Sequence, residues 1–394
     1  MEAVMNRTLS TLNSGLIWAG AGISASAIVV GTWIAPLGWQ QGLLAIVLGH
    51  LLGGILFFAA GLIGAKTGKN AMQTVQISFG RGSVFFSLAN VLQLVGWTAI
   101  MIYTGAEISN ALSLALWEYS AFSLWAIVLG LLIVLWLFTG SNQVGKFKLV
   151  TLIAMFLLTL WLSIKVLNGQ ENFPVSGEMP FSTAVELATI MPLSWLPLVS
   201  DYTAKAKKPF AATLSATIGY LITSAWMYAL GLGMVLFTGQ TEIAPMLLMT
   251  GMSLIGIMVM ILSTVTTTFL DAYSAGVSAG NITAKFKETP TAILVTIIGT
   301  LLAISLPVTQ YENFLLLIGS VFAPMIAVQI ADFFVLKRHQ AQPNVDWVAA
   351  GLWLVGFVLY HLLSYHQVHL LLGLTIPVML VIFLSTIFVR RFTK

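Results

Sequence analysis

The chain has 394 residues and a net charge of +4, with 58% hydrophobic and only 8% charged side chains and a mean hydropathy of +0.97. Soluble domains carry about 25% charged residues, so a soluble enzyme, a nucleic-acid binder and a secreted scaffold are all excluded. Cysteine is absent, which removes disulfides, thiolate metal sites and a cysteine nucleophile. The composition is that of an all-α polytopic membrane protein.

A membrane-crossing helix needs about 20 mostly apolar residues. Span 1, at 13–36, contains Gly15, Gly20, Gly22, Ser24 and Ser26 and is centred near Ser24. It lacks a small-residue cleavage site, so it is expected to stay in the protein as a span. Spans 2 to 5 follow at 41–65, 83–111, 121–141 and 147–168, and span 3 carries Gln93 and Trp97 at its centre. Span 6, at 182–201, reads MPLSWLPLVSD, with Pro192 and Pro197 around Ser194 and Trp195. Span 7 lies at 209–238, and span 8, at 247–277, contains STVTTTFLDAY. Spans 9 to 12 complete the set at 289–306, 313–336, 345–365 and 369–390.

The basic residues test this segmentation. With twelve spans and the N-terminus inside, 16 of the 17 Lys and Arg residues fall on the cytoplasmic side, and only Lys165 does not. The opposite loops carry Glu118, Glu171, Glu178, Glu242 and Glu312. This is the positive-inside asymmetry. It predicts a multi-pass protein of the cytoplasmic membrane with both termini in the cytoplasm, and it makes the basic excess a topology signal, with no nucleic-acid partner implied.

Spans 1 and 6 are five apart, the separation at which a five-plus-five inverted repeat places its paired broken helices. Proline removes a backbone donor and blocks the preceding turn, and unwound backbone is tolerated at membrane depth only where it is buried or lines a cavity. The alternative is a simple proline kink in span 6 and a glycine packing face in span 1.

The polar residues at the same depth suggest chemistry. Gln93 and Trp97 lie one turn apart on one helix face. Trp97 offers a flat surface for a planar ring, or packs in the bundle. Gln93 supplies an amide donor and acceptor for a heterocycle edge. In span 8, Thr266 and Thr267, with Ser263 a turn earlier, supply hydroxyls suited to a hard cation, unless they bond back to their own helix. Carbonyls freed in span 1 could complete such a cage. Asp271 is costly in hydrocarbon and needs a partner or a wet cavity. It is a contact for an exocyclic amine, a proton relay, or half of a helix–helix pair. Glu107 and Glu186 fall near the outer interface and read as gate or surface. Asp201 and Asp332 lie at cytoplasmic ends within reach of basic loop residues. His50 and His361 read as packed histidines bonded to carbonyls. The chain has no HExxH or GxxxxGK[ST] motif, so uphill transport would need an ion gradient or a partner protein.

Several pieces of the sequence resemble the nucleobase–cation symporter family, which includes cytosine permeases and hydantoin transporters. They are GISASAIVVGTW (Gly22–Trp33), IGAKTG (Ile63–Gly68), SFGRG (Ser78–Gly82), VGW (Val95–Trp97), SDYT (Ser200–Thr203) and YSAGVSAGNIT (Tyr273–Thr283). Their order and spacing extend over most of the first ten spans. MPLSWLPLVSDYT is most similar to the branch that carries hydroxymethylpyrimidine, a thiamine precursor. The resemblance implies a leucine-transporter-like fold of two inverted five-helix repeats, at 1–168 and 182–336, with two further helices in 337–394. It implies that Trp97 stacks on substrate and that Pro192 to Trp195 touch it. It also implies that Thr266 and Thr267, with the carbonyls of Ala19 and Gly22, form a sodium site. Where cytosine carriers have asparagines flanking the threonine pair, this chain has Ser263 and Thr268, and Gln93 is one residue from their span 3 glutamine.

The expected function is sodium-coupled import of a pyrimidine, with hydroxymethylpyrimidine ahead of cytosine, by alternating access. The expected substrate set is Ser24, Gln93, Trp97, Pro192, Ser194, Trp195, Thr268 and Asp271. The expected sodium set is Ala19, Gly22, Ser263, Thr266 and Thr267. No cofactor and no obligate protein partner are implied; lipid and a small heteroaromatic substrate are. The rivals are a proton-coupled nucleobase or hydantoin symporter, an amino-acid carrier of the same fold, and a channel. A membrane-embedded enzyme would need an acid–base pair or metal cluster at one depth, and none stands out.

Overall fold

The computed structural model describes residues 7–139, 145–168, 173–249, 253–305, 310–341, 343–368 and 370–392. Glu171 and Lys394, counted above in the charge asymmetry, lie outside the described residues. The described chain is helical: α1 (Thr11–Gly22), α2 (Ala25–Trp33), α3 (Gly38–Thr67), α4 (Ala71–Phe79), α5 (Ser83–Trp117), α6 (Phe122–Thr139), α7 (Gly145–Leu167), α8 (Phe181–Leu193), α9 (Leu196–Thr203), α10 (Pro209–Thr238), α11 (Ile243–Met249), α12 (Ser253–Ile282), α13 (Glu288–Ser305), α14 (Tyr311–Ile330), α15 (Trp347–Tyr365) and α16 (Thr375–Phe392).

Each of the twelve expected spans coincides with a helix or an interrupted pair of helices. Among the described residues eight are long and apolar enough to cross a membrane as they stand, and the bent α1–α2 pair makes nine. Spans 4 and 5 contribute the shorter apolar stretches Phe122–Phe138 and Leu152–Leu167. The 30-residue α12 is span 8.

The surface confirms the solvent. On α3, Leu44, Val47, Leu51 and Ile55 are exposed at spacings of three and four residues, and α15 does the same with Val355, Val358 and Leu362. The interior holds the hydroxyls and carboxylates instead, among them Ser14, Thr189, Asp271 and Asp332. In water this pattern would be inverted; in lipid the polar groups turn inward to find partners.

Two helices are additions to the expected set. α4 sits in the loop between spans 2 and 3, and its signal was a capping box. Asn70 Oδ1 accepts from Gln73 N at 2.9 Å, and Gln73 Oε1 accepts from Asn70 N at 3.1 Å. Asp201 Oδ1 accepts from Ala71 N at 2.8 Å, so the span 6 carboxylate caps α4 rather than pairing with a loop lysine. The short α11 stands apart from α12, and span 8 therefore begins later than expected.

Spans 1, 2, 6 and 7 pack on one another, and spans 3, 8 and 9 form a second group. Small residues let span 1 approach span 7. A Cβ at Gly31 would lie 2.2 Å from the Tyr228 carbonyl oxygen, and one at Gly231 would lie 2.0 Å from the Ile28 carbonyl oxygen.

Spans 10 to 12 are joined at their ends. At one end, the one expected from the charge asymmetry to face the cytoplasm, Arg390 binds Asp332 (2.7 Å) and Asp346 (2.9 Å), and Arg338 reaches Asp346 at 3.3 Å. The main partner of Asp332 thus comes from the last turn of span 12. At the opposite end Glu186 is buried and accepts from Tyr360 Oη at 3.0 Å, from Thr375 N at 3.0 Å and from the Thr375 hydroxyl. It ties span 6 to spans 11 and 12 and is not a surface group. His361 is exposed on span 11, its ring against Phe357 at 4.5 Å.

Candidate functional site

Both expected interruptions are present, and they differ. α1 and α2 are bent by 52°. At the break Ser24 is extended (φ −134°, ψ 140°), and Ile23 N turns back to the carbonyls of Ala19 (3.3 Å) and Gly20 (3.2 Å). Span 6 runs on from Phe181 to Thr203 as one apolar segment, interrupted only by a turn at Ser194–Trp195. Proline explains the milder form. Pro197 has no N–H for the Leu193 carbonyl and Pro192 none for Ala188, yet both turn residues keep right-handed helical angles. The two readings of span 1 hold together, because the same segment is broken at Ser24 and packed through glycine on span 7.

Side chains bond to backbone carbonyls on both sides of the turn. Ser194 Oγ donates to the Met191 carbonyl at 2.7 Å, and Asn90 Nδ2 donates to the Pro197 carbonyl at 3.1 Å. Gln93 Nε2 donates to Asn90 Oδ1 at 2.7 Å and reaches the Ser194 carbonyl at 3.4 Å, while its Oε1 is buried without a bond. Asn90 was not anticipated from the sequence. It lies three residues before Gln93 on the same face, which was the available signal.

One enclosed cavity lies between the two interruptions. Ser24, Gly22, Trp97, Ser194, Trp195 and Asp271 all line it. Met101, Tyr220 and Ser224 also line it, and the sequence did not mark them. Tyr220 and Ser224 come from span 7, an unbroken helix with no charged residue. The space open to the centre of a water-sized molecule is about 10 Å³, enough for about one water. The cavity is closed around itself in this conformation. Tyr311 and Phe314 meet Trp97 edge-on, each at 5.7 Å. Trp195 Nε1 donates to Tyr220 Oη at 2.8 Å, and its ring packs on Trp18 at 5.2 Å.

Asp271 is 3% exposed, and no hydrogen-bond donor or cation contacts its carboxylate among the described residues. The other deeply buried carboxylates, Glu186, Asp201 and Asp332, each have at least one protein donor. Asp271 faces the cavity with its oxygens free.

Three expected substrate residues are elsewhere. Pro192 packs on span 2, where a Cβ at Gly53 would lie 2.3 Å from its Cγ, so it shapes the helix and does not line the cavity. Thr268 donates to the Thr264 carbonyl at 2.6 Å and faces its own helix. Gln93 lies one contact behind the cavity wall, at Asn90 and Ser194.

The hydroxyls of span 8 meet span 1. Ser263 Oγ donates to the Ile23 carbonyl at 3.1 Å, linking the two segments directly at the break. Thr266 bonds back to the carbonyls of Leu262 (2.9 Å) and Ser263 (3.0 Å). Thr267 Oγ1 is buried without a hydrogen bond. A buried hydroxyl left unbonded is costly, and oxygen ligation of a hard cation would fill it. Thr267 therefore fits a cation site in this conformation better than Thr266 does. The Ala19 carbonyl accepts from Ile23 N at 3.3 Å and keeps its second lone pair.

Residues 3–348 match the family described as permease for cytosine/purines, uracil, thiamine, allantoin. The chain belongs to this permease family. It is accordingly a multi-pass membrane transporter of the nucleobase type, not an enzyme, and the resemblance to nucleobase–cation symporters seen in the motifs holds. It is 27% identical over 361 residues to the cytosine permease of Escherichia coli K12, covering 85% of this chain and 84% of that protein. It is 25% identical over 386 residues to the purine-cytosine permease FCY22 of Saccharomyces cerevisiae, covering 86% and 70%. In fold it is similar to Mhp1, a nucleobase-cation-symport-1 family transporter in a closed conformation with bromovinylhydantoin bound. The TM-score is 0.82 at 17% identity over 98% of this chain and 93% of that one. A Na+-coupled sialic acid symporter shares the fold more distantly, at TM-score 0.65 and 13% identity over 95% and 88%.

Proposed function

We propose that this permease imports an amino-substituted pyrimidine across the cytoplasmic membrane, coupled to sodium. Hydroxymethylpyrimidine is the first candidate and cytosine the second. The observation that carries the reading is Asp271, a buried carboxylate without a protein donor, facing the same cavity as the indoles of Trp97 and Trp195. A carboxylate accepts well from an exocyclic ring amine, and an indole offers a face for the ring. The relatives named as cytosine permeases support this class of cargo.

Transport would follow alternating access. Residues 1–168 and 182–336 would act as the two inverted repeats, with both termini in the cytoplasm. Spans 1, 2, 6 and 7 would move as a group against spans 3, 8 and 9, opening the collapsed cavity to admit a ring. Met101, which lines the cavity, is unbranched and re-packs readily. Sodium at Thr267, with a span 1 carbonyl, would draw spans 1 and 8 together where Ser263 and Ile23 already meet.

The test is a thermal-shift and binding panel on the purified protein, with hydroxymethylpyrimidine, cytosine, uracil, hydantoins, purines and amino acids, each with and without sodium. A ligand that binds the folded state raises its melting temperature by mass action. Stabilisation by an aminopyrimidine, larger with sodium, is the expected result. Binding that ignores sodium but follows pH would replace sodium with a proton carried at Asp271. A response to amino acids alone would end the pyrimidine reading.

A further inference from the structure

His50 of span 2 is buried and does not line the cavity, yet it reaches the cavity through one side chain. Its Nδ1 lies 2.9 Å from the Ile46 carbonyl, and its Nε2 lies 3.0 Å from Ser224 Oγ. Ser224 is a cavity residue. Among the described residues no carboxylate is bonded to the imidazole, and its ring meets the edge of Tyr228 at 4.9 Å.

These contacts fix where the protons lie. A carbonyl only accepts, so Nδ1 carries the hydrogen. In the neutral ring Nε2 is then an acceptor. Ser224 must therefore donate its only proton to Nε2. Its neighbour Thr223 bonds back to the carbonyls of Gly219 (2.9 Å) and Tyr220 (3.3 Å), as helix hydroxyls usually do. Ser224 points to His50 instead. Tyr220 Oη, one turn away, is also a neighbour of Ser224. It accepts from Trp195 Nε1 at 2.8 Å and donates to the Met191 carbonyl at 3.4 Å, so its own proton is directed away from Nε2.

We propose that the His50–Ser224 pair sets the polarity of one wall of the cavity, so that Ser224 offers only lone pairs to the substrate and selects a ring amine over a ring carbonyl. Ser224 is the specificity contact and His50 the positioning residue behind it. With Asp271, the cavity then has two acceptor walls, and an oxo group placed against either meets a lone pair. The inference rests on the pyrimidine reading above and adds to it the rule that separates cytosine from uracil. Gly22 makes the arrangement possible: a Cβ there would lie 2.9 Å from Ser224 N and 2.1 Å from Thr223 Oγ1, so any side chain would push span 7 away.

Two measurements test it. The first needs no ligand. Nitrogen-15 NMR of histidine-labelled protein, with the His50 signal assigned by its loss in His50→Phe, reads the tautomer. The proposal requires a protonated Nδ1 and a bare Nε2; a protonated Nε2 overturns it.

The second is the ratio of cytosine to uracil affinity. Ser224→Ala should weaken cytosine about fivefold, the effect of one net hydrogen bond, and leave uracil unchanged or improved. His50→Phe keeps a ring against Tyr228 and frees the serine proton to face the cavity, so the preference for cytosine should fall. A purely structural role would lower both affinities together and leave the ratio constant, and that result refutes the proposal. If the wild-type protein bound neither ring while the tautomer stood as stated, the pyrimidine cargo would be at fault and not the proton placement.

Discussion

Replacing Asp271 by asparagine is the sharpest perturbation the cavity offers. The change is isosteric, so it alters charge and leaves volume alone. Its effect on folding follows from the contacts. The carboxylate has no protein donor among the described residues, so no internal bond is broken and the melting temperature without ligand should not fall. Its effect on binding follows from the same fact. An acceptor reserved for the substrate loses its charge, and hydrogen bonds to charged groups contribute about 1.5–3 kcal/mol. That corresponds to a loss of about 10- to 100-fold in affinity for an aminopyrimidine. Equilibrium binding of hydroxymethylpyrimidine and cytosine, read beside thermal unfolding, separates the two effects. Glu186→Gln is the contrasting control. It replaces an acceptor held by Tyr360 and Thr375, so its NH2 group must face a donor, and about 1–3 kcal/mol of stability should be lost with ligand affinity preserved. Unchanged affinity in Asp271→Asn would refute the proposed contact. A large fall in its ligand-free melting temperature would show that the carboxylate has a structural partner.

Other perturbations address the remaining features. Thr267→Ala should reduce the sodium dependence of ligand binding while leaving the ligand-free stability within about 1 kcal/mol of wild type, since the hydroxyl makes no bond to lose; equal sodium dependence in the two proteins would place the ion elsewhere. Arg390→Met leaves the buried Asp332 carboxylate without its main partner and should cost about 3–5 kcal/mol, seen as a lower unfolding temperature that Asp332→Asn in the same chain partly restores. Burial by itself would raise the Asp346 carboxyl, but the Ala349 amide and Arg390, then Arg338, hold it below its ordinary value of 3.8. A depressed carboxylate stabilises the fold above its unfolded pKa and loses that contribution as pH falls through the folded one. The contribution of Asp346 should therefore stay level down to about pH 4 and decline below it. Asp346→Asn should flatten the decline, and an unaltered profile would count against the cluster.

The sequence by itself determined the solvent, the number of spans and the depth at which chemistry is placed. A 20-residue apolar requirement and a one-sided distribution of lysine and arginine act locally along the chain, so no tertiary information is needed to read them. The proline pair in MPLSWLPLVSD and the glycine–serine run of span 1 likewise announce weakened helices, because a missing N–H is a property of the residue. The tertiary structure decided which way each polar side chain turns. Thr266, Thr267 and Thr268 are equivalent in sequence. Packing of α12 against α5 and α1 leaves one facing its own helix, one half-buried and back-bonded, and one buried without a bond. Pro192 was marked by its chemistry and then spent on the span 2 interface. Ser224 and Tyr220 were invisible because a serine and a tyrosine in an unbroken helix carry no local signal; only the close approach of span 7 to Gly22 brings them to the cavity. Buried polar groups are matched by partners from distant segments, and a hydrogen bond across 174 positions, such as that between His50 and Ser224, has no trace in the order of residues.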